Sequence, residues 1–286
     1  DLNGISFTGF GSEEEPFSGI FDGKGHIISN YTYSNAPDDA NYYVGIFNYS
    51  IGLVKNIGIE NYSISINTGY AGGLVGYNSG TILNSFTNGQ VITSRYSGGI
   101  VSYNTGEIIN CYTKGIINAH EKNGYRTNVY AGGIAAYNEG TIQSVYSLSE
   151  VYAQQDSGFG TSGTFRAGGL VGNNSSSGII KNSFATGKVS AKGTSDVAGN
   201  IAGSNEGNII LCFYLSSQIV EDSNNSIITI GTPTSLKNLY KLIGLSWQLY
   251  IDDTYLWFYD ESVWVLNEND YPSLYWEKEI QILQNV

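Results

Sequence analysis

The chain contains no methionine, two cysteines, two histidines and four prolines among its 286 residues. Each scarcity closes off a kind of chemistry. His26 and His120 stand alone, and His120-Glu121 lacks the second histidine one turn on that a zinc-protease helix uses to set two imidazoles on one face. No Gly-x-Ser-x-Gly elbow raises a nucleophile, and no Asp-x-Asp-x-Asp-Gly loop gathers oxygens for calcium. No catalytic residue, metal ligand or cofactor is therefore assigned. Charge is also sparse: 13% of residues are Asp, Glu, Lys or Arg, and 25 acidic against 13 basic residues leave a formal net charge of −12. Such a balance disfavours nucleic acid and anionic membrane as partners. No apolar run approaches the roughly 20 residues that cross a bilayer, so membrane insertion by this segment is not expected. A chain that begins at Asp1 without a charged-then-apolar leader is expected to be a processed or excised part of a longer protein.

What the sequence has in abundance is glycine, 37 residues, and tyrosine, 23 residues, in a repeating order. The segment Tyr-Ala-Gly-Gly-Leu-Val-Gly-Tyr-Asn-Ser-Gly-Thr-Ile at 70–82 recurs at 96–108, 130–142, 166–180 and 197–209. In register stand Gly72, Gly98, Gly132, Gly168 and Gly199, then Leu74, Ile100, Ile134, Leu170 and Ile201, then Asn78, Asn104, Asn138, Asn174 and Asn205. Each unit closes on an aromatic, in turn Phe86, Tyr112, Tyr146, Phe184 and Phe213. The pattern reads as two short strands around an Asn-x-Gly turn, with Asn and Gly supplying backbone of positive φ. One unit cannot bury its apolar face alone, so the units must stack, like residue over like, about 4.8 Å apart. The aligned Leu and Ile residues then form an internal ladder, the closing aromatics a second, and the asparagines an amide stack along the axis.

The first glycines are spaced 26, 34, 36 and 31 residues apart. Those periods are shorter than a propeller blade of roughly 40 or more residues and fit a solenoid. Length variation falls between the closing aromatic and the next Gly pair, in 117–129 and 152–165. Insertions at one register project from one side of a stack. Cys111 and Cys212 share the place just before a closing aromatic, three units apart. At about 14 Å they exceed the roughly 7 Å Cα limit for a disulfide, so buried free thiols are expected.

Gly-Gly-Leu-Val-Gly-Tyr-Asn-Ser-Gly-Thr-Ile at 72–82 and Gly-Gly-Leu-Val-Gly-Asn-Asn at 168–174 resemble the GLUG motif of bacterial surface proteins, found in streptococcal immunoglobulin A1 proteases and large adhesin-like chains. Phe17-Ser-Gly-Ile-Phe-Asp-Gly-Lys-Gly-His-Ile-Ile28 is similar to that family's opening, and Tyr271-Pro-Ser-Leu-Tyr-Trp276 to its closing stretch. The resemblance implies an all-β fold, a right-handed parallel β-helix, on a bacterial extracellular or cell-surface protein. It implies a scaffold and no reaction. The expected organisation is GLUG-type repeats over 1–214, clearest over 70–214, and a cap over 215–286 in the same domain. In the cap, Thr234–Ile243 has apolar residues at helical spacing behind an N-cap, and all four tryptophans follow, at 247, 257, 264 and 276.

Three functions fit these features. The first is a noncatalytic stalk, scaffold or adhesive surface that touches polysaccharide or a host surface protein. The second is a carbohydrate-active β-helix enzyme, though Glu139 and Glu206, two units apart with Ser175 between them, make a poor carboxylate pair. The third is a self-associating filament or coat subunit. Loops on a rigid repeat are where binding residues gather. The two insertions and the place corresponding to them one unit earlier bring Arg95, Tyr96, Tyr125, Arg126, Phe159, Phe165 and Arg166 to one register, aromatics with cationic neighbours suited to a sugar face or an acidic segment.

Overall fold

A computed structural model describes residues 1–34, 42–67, 69–121, 128–155, 163–193, 195–222, 229, 231–234, 264–265, 273–274 and 276–277. Within them the repeat becomes a parallel β-helix. One coil is laid out by Tyr70–Gly72, Val75–Asn78, Thr81–Leu83 and Phe86–Thr93. The sequence suggested two strands per unit; the coil has four, because the Gly-Gly pair and the closing asparagine each turn a further corner.

Stacking the coils builds three faces. The first face holds Tyr43–Val44, Tyr70–Gly72, Tyr96–Gly98, Val129–Gly132, Phe165–Gly168 and Asp196–Gly199. The second holds Phe47–Ser50, Val75–Asn78, Val101–Asn104, Ala135–Asn138, Val171–Asn174 and Ala202–Asn205. A sheet of 17 strands makes the third. The register is residue for residue: Gly72 faces Gly98, which faces Gly132, and Asn78 faces Asn104, which faces Asn138. It survives the insertions, since Glu121 pairs with Gln155 before them and Val129 with Phe165 after. At the N-terminal end Ile20–Asp22 adds in parallel to Leu53–Lys55, and Ile27–Ser29 and Thr32–Ser34 add to Gly58–Ser65.

The interior is built of columns. Leu74, Ile100, Ile134, Leu170 and Ile201 are all fully buried, as are Val54, Ile82, Ile108, Ile142 and Ile180 on the third face. Burying each such side chain contributes about 1.5–3 kcal/mol. Cys111 and Cys212 lie among them as free thiols whose Sγ atoms donate to the carbonyls of Ile109 and Ile210. Burial pushes both thiols up to about 12.

The corners explain the recurring small residues. At the Gly-Gly corner the backbone doubles back, so a Cβ on Gly98 would overlap the Val101 carbonyl oxygen. At the next corner the asparagine side chains form one hydrogen-bonded chain. Asn78 Nδ2 donates to Asn104 Oδ1 at 2.8 Å, Asn104 to Asn138 at 2.8 Å, Asn138 to Asn174 at 2.8 Å and Asn174 to Asn205 at 2.7 Å. Each amide also donates to the glycine carbonyl of its own turn, as Asn104 does to Gly106. This corner does not use positive φ, contrary to the expectation from its sequence. Gly80 is needed there because a Cβ would run into the Gly52 carbonyl of the preceding coil. Left-handed backbone appears instead at the closing asparagines, Asn56, Asn84, Asn110 and Asn182, with φ of 54°, 48°, 53° and 52°, and in the same column at Ser144 and Leu211.

The closing aromatics lie outside the main core. Ala185 packs inside, so the preceding Phe184 points outward. Phe86, Tyr112, Tyr146 and Phe184 stack at 4.8, 4.9 and 5.0 Å with planes within 3° of parallel. An outward apolar ladder needs a cover, and the C-terminal segment supplies it. Leu274 is fully buried against the ladder, and Trp276 stacks 5.7 Å from Tyr112 and 6.2 Å from Phe86 while its Nε1 donates to the Asn110 carbonyl. Tyr146 donates its hydroxyl to both Glu277 oxygens at 3.0 and 3.1 Å. Trp276 therefore covers a flank of the solenoid. The expected helix after Thr234, and Trp247 and Trp257, lie outside the described residues.

A candidate binding face

In the repeat, Tyr70, Tyr96 and Tyr130 stand two residues before the first glycine, and Tyr77, Tyr103 and Tyr137 stand just before the ladder asparagine. The fold makes columns of both. On the first face Tyr43, Tyr70, Tyr96 and Tyr130 pair coil to coil, and on the second Tyr49, Tyr77, Tyr103 and Tyr137 do the same. The tight Gly-Gly corner folds the two faces together and brings the columns into contact. Ring centroids lie 5.1 Å apart for Tyr43 and Tyr49, 5.4 Å for Tyr43 and Tyr77, and 6.1 Å for Tyr130 and Tyr137. Along each column the spacing is 4.6–5.6 Å, and the rings stack except for an edge-on contact between Tyr70 and Tyr96.

These eight tyrosines belong to none of the three buried apolar clusters. Tyr70 and Tyr130 are 8% and 7% exposed, and the other six are half-buried. Partial burial raises the phenols of Tyr43, Tyr49, Tyr70, Tyr96, Tyr103 and Tyr137, so their hydroxyls stay neutral donors at physiological pH. Tyr103 donates to Glu139 Oε1 at 2.9 Å and Tyr49 to Glu13 Oε2 at 3.4 Å. Glu139 thus orients a phenol, while Ser175 separates it from Glu206 along the axis as expected.

Of the residues marked from sequence, three meet here. Tyr96 is a member of the first column, the Arg95 guanidinium lies 4.8 Å from the Tyr70 ring centre and 5.9 Å from that of Tyr96, and Arg166 succeeds Tyr130 in register. Phe165 is corrected. It alternates with Arg166 on one strand, so its ring turns inward and is fully buried beside Val129 and Ala167. Tyr125, Arg126 and Phe159 lie outside the described residues. The other seven tyrosines are not singled out by the loop argument, although the fixed places of Tyr70 and Tyr130 before Gly-Gly and of Tyr77, Tyr103 and Tyr137 before Asn are a usable signal; Tyr43 and Tyr49, before Val-Gly and Ser, lack it. Among the described residues no group of three or more His, Cys, Asp and Glu could hold a metal ion.

Comparison with known proteins places this geometry. A family model described as the GLUG motif matches residues 163–190. Residues 163–190 are thus similar to a GLUG motif. In structural terms the matched stretch is one coil, running from the first-face strand Phe165–Gly168 through Val171–Asn174 and Ile179–Ala185 into Val189–Lys192. No curated protein matches the chain. Among solved structures, a "putative immunoglobulin A1 protease" from Bacteroides ovatus shares 24% identity with a TM-score of 0.71 over 96% of this chain and 83% of that one. That likeness is one of fold.

Proposed function

We propose that this chain is a noncatalytic β-helix module of a bacterial cell-surface or secreted protein, acting as a rigid scaffold with an adhesive surface. The observation that carries the reading is the unbroken parallel register of the first and second faces through six strands each, which holds outward side chains in straight columns along the axis. GLUG repeats and the fold likeness to a protein named for protease activity support a repeat module that would serve chemistry located elsewhere. Polysaccharide or a host surface protein would be the partner. The test is a set of glycans screened at once for binding and for cleavage by the folded chain. Binding without cleavage is the expected result, and catalytic turnover of any glycan would overturn it. End-to-end association is the second reading, favoured by coils that repeat the same edge. Light scattering over a range of concentrations would show a mass that grows with concentration if it held.

A further inference from the structure

We propose, on the basis of the module reading above, that the two tyrosine columns form a binding groove for a neutral polysaccharide lying along the solenoid axis. The columns are not required to build the corner they occupy. In the next two coils Arg166 and Val197 continue the first column, Asn173 and Ser204 continue the second, and the parallel pairing runs on with Gly168 and Gly199 in place. Both columns also change at the same coil, which bounds a patch where a purely structural device would run the whole length.

The ligand class follows from what the patch presents. Stacked rings cover one another's faces, so the half-buried second column, Tyr49, Tyr77, Tyr103 and Tyr137, offers ring edges and hydroxyls that recur with each coil, about every 4.8 Å, with Tyr43 and Tyr96 beside it from the first. A periodic surface is matched by a periodic polymer, and a sugar ring combines CH groups for the ring edges with hydroxyls for the phenols. Charge selects among polymers. Glu13 and Glu139 hydrogen-bond to phenols of the groove, and the formal net charge of −12 repels anionic chains. Arg95 against Tyr70, and Arg166 at the end of the column, oppose a basic peptide. The tyrosines are already fixed by stacking, so binding immobilises few new rotors.

The experiment is electrophoresis of the folded chain through gels containing a neutral glucan or mannan, polygalacturonate, or a proline-rich peptide conjugate. Two variants accompany it, Tyr77→Ala/Tyr103→Ala in the groove and Tyr112→Phe on the opposite ladder, each checked by circular dichroism. Retardation by a neutral glycan, weakened at least tenfold in the groove variant and unchanged in Tyr112→Phe, is the expected result. No retardation by neutral glycan, equal retardation of both variants, or retardation only by polygalacturonate or by the peptide would overturn the proposal. Glycan binding that survives in the folded groove variant removes the groove and leaves the module reading standing, whereas glycan cleavage removes the module reading itself.

Discussion

The solenoid has two corners lined with asparagine, and they use the same side chain for different purposes. At the inner corner Asn78, Asn104, Asn138 and Asn174 are fully buried in extended backbone, and every amide is held by the next coil. At the closing corner Asn56, Asn84, Asn110 and Asn182 take left-handed backbone, and the column admits Ser144 and Leu211. Side-chain bonds there are longer and broken off, with Asn84 reaching Asn56 at 3.2 Å and Asn110 reaching Asn84 at 3.3 Å. The inner column is therefore constrained chiefly by buried hydrogen bonding and the outer one chiefly by φ, its side-chain bonds being only part-buried or exposed. Recurrence of a residue type does not say which physical demand it meets.

Glycine substitution should break the comparison most sharply. Asn138→Gly leaves Asn174 Oδ1 without its donor and deprives Asn104 of an acceptor, each costing about 1–3 kcal/mol where buried. Denaturant melts should show a loss of roughly 2–4 kcal/mol, whereas Asn110→Gly, at φ 53°, loses only the long, part-buried bond to Asn84 and should cost no more than about 1 kcal/mol. Equal losses from the two would erase the distinction between the corners.

Acidity should separate inner from outer packing next. Amide ladders do not titrate, but the flank cover does. Burial raises the Glu277 carboxyl from 4.5 to about 7, outweighing the Leu274 amide, the Tyr146 hydroxyl and the charge of Lys114. A carboxyl whose folded value exceeds its unfolded one stabilises the packed state while protonated. The contribution is complete below pH 4.5 and is lost as pH rises through about 7, about 3 kcal/mol in all. Hydrogen-exchange protection factors at Trp276 and Glu277 should fall over that window and become independent of pH in Glu277→Gln. An exchange rate that slows as pH rises, once intrinsic exchange is subtracted, would contradict it.

A gain of stability is expected from lengthening the inner ladder. Ser50 faces Asn78 in register, and both Ser50 Oγ and Asn78 Oδ1 are buried without a hydrogen-bond partner. Ser50→Asn would place an amide donor on Asn78 Oδ1 and should add about 1 kcal/mol. A melting temperature below that of the parent would show that this coil cannot accept the side chain. The smallest effect belongs to the outer corner, where Ser144→Asn restores the residue best suited to φ 53° and should stabilise by no more than about 0.5 kcal/mol.

Much of the fold was legible because a stacked repeat converts sequence register into spatial register. Leu74 over Ile100 over Ile134, the amide chain, and the free thiols at Cys111 and Cys212 all follow from one alignment of the units. The candidate groove was only partly legible. Arg95, Tyr96 and Arg166 were marked, but as neighbours of loops, and Phe165 was marked although strand alternation turns it inward.

The sequence by itself determined which residues would lie over which, since identical units pair identically when each must bury its apolar side against the next. Only the tertiary structure decided where separate columns meet. Tyr70 and Tyr77 lie on different strands, and the angle of the Gly-Gly corner sets whether their columns touch. Trp276 stands far along the chain from Phe86 and Tyr112, and no periodicity connects them. That contact depends on an outward aromatic ladder that first exists when the coils are stacked, and on the gain from removing its rings from water.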